Sequence, residues 1–328
     1  MNDQTHPYAG HVVPYRRVLF VSVAHSVVRQ IIDTIRSVDG ISYSCFWMNE
    51  ESGSVDLAIC DAIRSFGPDL IVFIPTIVAF DRQPSRHLLQ TIRADLGIPV
   101  AQIYTDMAKP VWREVARHLM HEADFAVSLD GVELDAVPGG ARCHPLWTPV
   151  LAPAQTGLSR DIDVSMIGSL TSFPHRPAVL SHLRNCGIEV VTGGGQETSY
   201  EFSTTDYFAS LRRSKIVINF SRAGYRNFDD GGNAVDHLKG RVMEALSCQA
   251  LLLESRNAVT ARYLEDGADY ISFTDQDDLA SKIKFFLANE ESRALVAEQG
   301  HLTVTARYSA RKFWEKVLDG VRVSIRSR

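Results

Sequence analysis

The sequence predicts an α/β protein of two doubly wound domains facing a cleft. Three observations carry that prediction. Between residues 16 and 150, short apolar runs alternate with stretches whose apolar residues recur at helical spacing. The segment HPLWTPVLAPAQTGLSRD (144–161) then brings three prolines and no sustained period. After it the alternation restarts and continues along the chain. Parallel strands need a crossover, usually a helix, so alternation of this kind builds a parallel sheet. Two such units joined by a proline-rich segment leave a crevice between them.

The elements follow in order. MNDQTHPYAGHVVPYRR reads as a loose leader, and RRVLFVSV as a strand buried on both faces. VVRQIIDTIRSV places Val28, Ile31, Ile32 and Ile35 on one helical stripe. ISYSCFWM is a strand, VDLAICDAIRSFG a helix stopped by Gly67, and PDLIVFIP a strand. SRHLLQTIRADLG (helix), IPVAQIYTD (strand), VWREVARHLMHEA (helix) and DFAVSLD (strand) complete a first domain over 1–150. The second, over 151–308, runs through DIDVSMIGS, RPAVLSHLRNCG, IEVVTGGG, TTDYFASLRRS and KIVINFS as strand, helix, strand, helix, strand. A polar loop, RAGYRNFDDGGNAVD, leads into HLKGRVMEALSCQALLLE, a short helix running into a buried strand. NAVTARYLEDG as a helical turn, DYISF as a strand and helices in DDLASKIKFFLAN and ESRALVAEQGHLTVTARY follow, and residues 309–328 hold a last helix.

Bulk properties exclude several classes. The 328 residues are 45% hydrophobic and 22% charged, with a net charge of −5, so no global basic field points to nucleic acid. The longest apolar run, LIVFIPTIVAF, is interrupted by Pro75 and falls short of the roughly 20 residues of a membrane span. Five scattered cysteines without a C-x-x-C pair, and a leader without an apolar core, fit a reducing cytoplasm and suggest neither disulfides nor zinc. No Walker motif, G-x-S-x-G elbow or H-E-x-x-H occurs. The first βα turn, VSVAHSVVRQ, lacks G-x-G-x-x-G, so the backbone there cannot approach a pyrophosphate as in dinucleotide binding.

The stretch 237–254 is the chemical centre of the sequence. A helix N-terminus carries unpaired N–H groups and partial positive charge, and Lys239 and Arg241 add full charges there, the end cations normally avoid. The residues alone admit two readings, solvated cations on a surface helix or a seat for a phosphate. Gly168–Ser169, Gly193–Gly195 and Asn219–Ser221 each follow a strand of the same domain, and their ends converge on the same crevice. Asp161 and Asp163 form a D-x-D at the amino end of a strand, the wrong end for a site, and read as solvated charge. Asp229 and Asp230, in the glycine-rich loop, are nearer the crevice but typical of turns.

The motifs DVSMIGS followed by Arg176, KIVINFS, LKGRVMEALSC–LLLES, and YLEDGADYISFTDQDDLASKIKFFL before RYSARKFWEKV occur in an order and spacing that resembles the C-terminal domain of GT-B glycosyltransferases of the CgeB-like, group 1 type, over about residues 161–320. The resemblance implies two Rossmann-like domains, a nucleoside-diphosphate sugar held mainly by the second, and an acceptor met by the first. It implies that the last helix packs back on the first domain, and that cations rather than a metal ion steady the departing diphosphate. It makes Lys239 and Arg241 diphosphate ligands and Glu244 a ribose contact. Asp236, Gly168, Ser169, Arg176, Asn219, Gly194 and Glu254 are further donor-site candidates. Asp236 stands where many retaining relatives have glutamate, and Gln249 where glycine is usual.

The resulting expectation is a metal-independent glycosyltransferase with no cofactor, acting on an acceptor hydroxyl of a glycan, a protein or a small molecule. If the reaction inverts, a base from the first domain is needed, and Asp106 and His25 are the candidates. The alternatives are a sugar-nucleotide epimerase of the same architecture and a non-catalytic nucleotide-sugar-binding or scaffold protein. Donor sugar, base, acceptor and oligomeric state are not encoded in readable form.

Overall fold

The computed structural model describes residues 15–75, 83–108, 113, 116, 119–131, 142–151, 159–170, 173, 175–193, 204–222 and 235–327. The readings made for residues 1–14, for most of the helix at 111–118, and for Gly194, Gly195, Asp229 and Asp230 lie outside these.

The first sheet contains β1 (Arg17–Ser22), β2 (Ser42–Trp47), β3 (Leu70–Phe73), β4 (Val100–Tyr104), β5 (Phe125–Ser128) and β6 (Cys143–Pro145). All pairings are parallel, in the order β2-β1-β3-β4-β5-β6. Helices α1 (Ser26–Asp33), α2 (Val55–Phe66) and α3 (Arg86–Ala94) connect them. Val28, Ile31, Ile32 and Ile35 are all buried, Ile35 on a 3-10 turn that continues α1. Gly67 closes α2 in the left-handed conformation. One sequence reading needs correction. His144 and Pro145, read as part of an aperiodic end of the first domain and linker, belong to strand β6, whose three residues are too few to show a period-two pattern.

The second sheet holds β7 (Ile162–Ile167), β8 (Val191–Gly193), β9 (Ser214–Asn219), β10 (Leu251–Ser255) and β11 (Ile271–Phe273), parallel throughout in the order β11-β10-β9-β7-β8. Its helices are α4 (His175–Asn185), α5 (Thr204–Arg213), α6 (Gly240–Ser247), α7 (Gln276–Ala288) and α8 (Glu290–Arg307). The order reverses between β7 and β9, so the connections leaving their carboxyl ends run to opposite sides and a crevice opens there. At the opposite end, Asp161 pairs with Arg213 and Asp163 with Lys215 on the surface.

Close packing fixes α8 against its neighbours. A Cβ on Gly300 would stand 2.2 Å from the Asp269 carbonyl oxygen and 2.8 Å from Leu246 Cδ2. Alanine is normally the better helix former, yet Gly300→Ala is expected to destabilise the protein by about 1–3 kcal/mol through overpacking. Urea unfolding checks this as a lowered midpoint at unchanged slope.

Helix α9 (Ala310–Arg326) leaves the second domain and lies on the first. Trp314, fully buried, donates its indole N–H to Thr34 Oγ1 at 2.8 Å and meets Phe20 edge-on at 5.6 Å. Gly320 lets α9 approach the Phe125 ring, which a Cβ would meet at 2.4 Å. Trp147 packs against Tyr308 and Phe313, and Tyr308 donates to the Tyr263 carbonyl at 2.7 Å. Between the domains, the Leu238 amide donates to the Asp130 carbonyl at 2.7 Å, and the Asp130 carboxylate accepts from the Ala108 amide at 2.7 Å. The segment entering α6 is therefore anchored to the carboxyl end of β5.

Candidate functional site

The site is built where β7, β9 and β10 end opposite the start of α6. Gly168 follows β7 with φ +141°, a conformation that side-chain-bearing residues rarely adopt. The missing side chain also makes room. A Cβ there would lie 3.0 and 3.1 Å from the Arg241 guanidinium nitrogens and 3.2 Å from Arg176 Nη1. Two guanidinium groups thus converge above one glycine.

Each cation is held differently. Arg176, in the first turn of α4 and buried, donates to the Ser169 carbonyl at 2.7 Å. Its guanidinium lies over the Phe173 ring at 3.9 Å, and the Lys239 ammonium lies over the same ring at 4.4 Å. Lys239 donates to the Arg222 carbonyl at 3.1 Å. It is the N-cap of α6 with extended backbone and no side-chain oxygen to offer the first turn. Arg241, second in the helix, donates to Asn219 Oδ1 at 3.3 Å, and its buried Nε has no hydrogen-bond acceptor among the described residues. Gly240 lets this turn lie against Thr148, 3.2 Å from a hypothetical Cβ.

The electrostatics follow from this crowding. Burial first, then the Arg176 and Arg241 charges, hold the Lys239 ammonium well below the usual lysine range, while Glu254 and Asp106 act in the opposite sense. Asp106, after β4, is thus a first-domain carboxylate within electrostatic reach of Lys239. Burial pushes the Glu254 carboxyl up to about 8, partly offset by the Asn219 hydrogen bond and by Lys239 and Arg241. Burial also lowers His175, helped by Arg176, Lys239 and Arg222. Three cations gathered around Gly168 and Phe173 form an arrangement suited to an anion with more than one negative charge.

The sign of a pH effect can be worked out from Lys239 and Glu254. As pH rises, Lys239 loses its proton at a lowered value, and Glu254 becomes an anion near 8. The first change removes a positive charge and the second adds a negative one, so both make the seat less positive. Affinity for a nucleoside diphosphate is expected to fall about tenfold between pH 7 and 9, the scale of one charge-assisted hydrogen bond. Calorimetry across that range checks it; unchanged or rising affinity would count against these cations as the seat.

The remaining candidates fall as follows. Glu244, one turn into α6 and half-buried, accepts from the Tyr207 hydroxyl. Burial raises its carboxyl, with Tyr207 and Arg241 offsetting part of the effect. It also lines a cavity of about 320 Å³ between the domains, with Ile31, Thr148, Val150, Phe208 and Arg212. Asp236 accepts from Ser221 Oγ at 2.9 Å. Asn219 and Glu254 are both buried and joined, Asn219 Nδ2 donating to Glu254 Oε2 at 2.7 Å. His25 is exposed at the N-cap of α1, where its ring Nδ1 accepts from the Val27 amide at 3.3 Å. Gln249 is the one non-glycine residue with positive φ among those described, at +56°, in the turn from α6 to β10. Phe173 and Tyr207 were not found from the sequence. Isolated aromatic residues in a turn and on a helix carry no periodic or motif signal.

Fold and site together define an α/β protein of two parallel sheets, with Arg176, Lys239 and Arg241 gathered at the switch point of the second. The chain has the GT-B fold, and its residues 158–319 match the family model described as glycosyl transferase-like. The resemblance seen in the motifs of the second domain is borne out. HepE from Anabaena, in complex with UDP and glucose, aligns at 13% identity over 95% of this chain and 100% of that chain, with a TM-score of 0.60. Sucrose-phosphate synthase from Thermosynechococcus elongatus aligns at 11% identity, over 95% and 98%, with a TM-score of 0.59. A putative UDP-N-acetylglucosamine 2-epimerase from Listeria monocytogenes aligns at 11% identity, over 92% and 95%, with 0.54. At these identities the likeness establishes the fold. No curated protein matches the chain. Among the described residues no helix is long and apolar enough to cross a membrane.

Proposed function

We propose that the protein is a glycosyltransferase that moves a sugar from a nucleoside-diphosphate sugar to an acceptor hydroxyl without a bound metal ion. The observation that carries this reading is the convergence of Arg176 and Arg241 at Gly168 and of Arg176 and Lys239 at Phe173, beside the start of α6. The diphosphate rests on these cations and on the first-turn N–H groups, which gain strength as negative charge develops on the leaving group. The ribose hydroxyls bind Glu244, and the nucleoside takes the cavity that Glu244 lines. HepE, which shares the fold, has been crystallised with UDP-glucose, and UDP-glucose is accordingly a first donor to try.

The acceptor approaches from the first domain. If the transfer inverts, Asp106 is preferred over His25 as the base, because Asp106 acts electrostatically on Lys239, whereas the His25 ring is engaged in capping α1. A base must reach the acceptor proton within hydrogen-bond distance.

The test is donor binding by calorimetry and product analysis, both in the presence of a chelator. Binding of a nucleotide sugar with transfer to an added acceptor supports the proposal. A changed sugar with donor alone identifies an epimerase. Failure of every nucleoside diphosphate and its sugars to raise the melting temperature points to the non-catalytic alternative, since ligand binding to the folded state must stabilise it.

A further inference from the structure

Glu254 was a donor-contact candidate, but its surroundings give it a different task. It is fully buried at the end of β10. Its Oε2 accepts from Asn219 Nδ2 at 2.7 Å, and its Oε1 accepts from Asn257 Nδ2 at 3.3 Å. Asn257 is itself fixed, its Oδ1 accepting from the Thr260 amide at 2.7 Å. Asn219 is also buried, at the end of β9, with its other amide face toward Arg241 Nη1 at 3.3 Å. A side-chain amide has one donor end and one acceptor end. With Nδ2 drawn to Glu254, Oδ1 is the atom that faces Arg241.

That direction matters because Arg241 has several places to go. Its guanidinium lies beside that of Arg176, and like charges at that spacing repel. An acceptor on one side of Arg241 fixes the plane of the guanidinium while leaving further N–H donors for an anion. We propose that Glu254 is a positioning residue that orients Arg241 through Asn219, and that neither Glu254 nor Asn219 touches the donor. The inference rests on the reading of Arg241 as a diphosphate ligand and adds the device that aims it. Sequence position supports the arrangement. Asn219 and Glu254 are register partners on adjacent parallel strands, so the sheet itself sets their spacing.

Inorganic pyrophosphate is the probe, because it reads the anion seat whatever the nucleotide base. Asn219→Leu is expected to weaken pyrophosphate binding about tenfold, the size of coupling found within one hydrogen-bond network. In an Arg241→Lys background, which lacks the guanidinium that Asn219 holds, the same substitution is expected to cost nothing further. A general structural effect would cost the same in both backgrounds and would overturn the proposal, as would a folded Asn219→Leu protein with parental affinity. A second pair keeps the test independent of how Asn219→Leu folds. Glu254→Gln retains an oxygen for Asn219 Nδ2 and is expected to bind like the parent, whereas Glu254→Leu is expected to bind about tenfold more weakly. Equal affinity of that pair overturns the relay. Arg241→Ala separates the two levels. If it leaves pyrophosphate binding unchanged, the anion seat itself is wrong; if it abolishes binding while Asn219→Leu does not weaken it, only the relay fails.

Discussion

Arg241→Ala is expected to weaken nucleoside-diphosphate binding by at least about 30-fold, and Lys239→Ala by a comparable factor. Truncating one partner of a buried, hydrogen-bonded charge pair costs roughly 2–5 kcal/mol, and both side chains stand within the convergence around Gly168 and Phe173. The two losses should not add. A bound anion relieves the repulsion between Lys239 and Arg241, and Arg241 raises the cost of charging Lys239, so part of each contribution is shared. Removing Arg241 therefore lets Lys239 hold its proton to higher pH, so the Arg241→Ala protein should show a weaker alkaline loss of affinity than the parent. Isothermal calorimetry with a nucleoside diphosphate at two pH values measures both effects. Parental affinity in both single variants would remove the anion seat from α6 and, with it, the basis of the proposed function.

Trp314→Ala is expected to destabilise the protein by about 3–5 kcal/mol, a large part of the stability of an ordinary domain. The indole is wholly enclosed, meets Phe20 and Phe313 edge-on, and satisfies its N–H on Thr34. Trp314→Phe keeps most of the packing and loses the hydrogen bond, so it should cost less. Because α9 joins the end of the second domain to the first sheet, the Trp314→Ala protein is also expected to unfold in a broader transition, or in two. Scanning calorimetry of parent and variant distinguishes the outcomes. A sharp, unshifted transition would show that α9 contributes little to holding the two units together.

Much of the architecture was legible because burial leaves a periodic trace. Val28, Ile31, Ile32 and Ile35 recur at helical spacing and all point into the core. Gly67 stops its helix with a positive φ, as the sequence suggested. Strand β6 was not legible, since Cys143–Pro145 is held by pairing with β5 rather than by any pattern of its own. Gln249 is a case of the opposite kind. Its departure from glycine was visible in the sequence, and its left-handed backbone is where that departure is felt.

Local sequence drew attention to Lys239 and Arg241, because cations at a helix start contradict local stability. It offered no choice between a solvated face and a phosphate seat. That choice depends on contacts between residues far apart in the chain: Arg176 and Arg241 above Gly168, Phe173 beneath Arg176 and Lys239, and Asn219 set between Glu254 and Arg241 by adjacent strands. By itself the sequence determined two alternating α/β units, their helix stops and the helix that carries the charge. The tertiary structure alone decided which charges meet, because the order of strands in a sheet brings together side chains that no spacing along the chain relates.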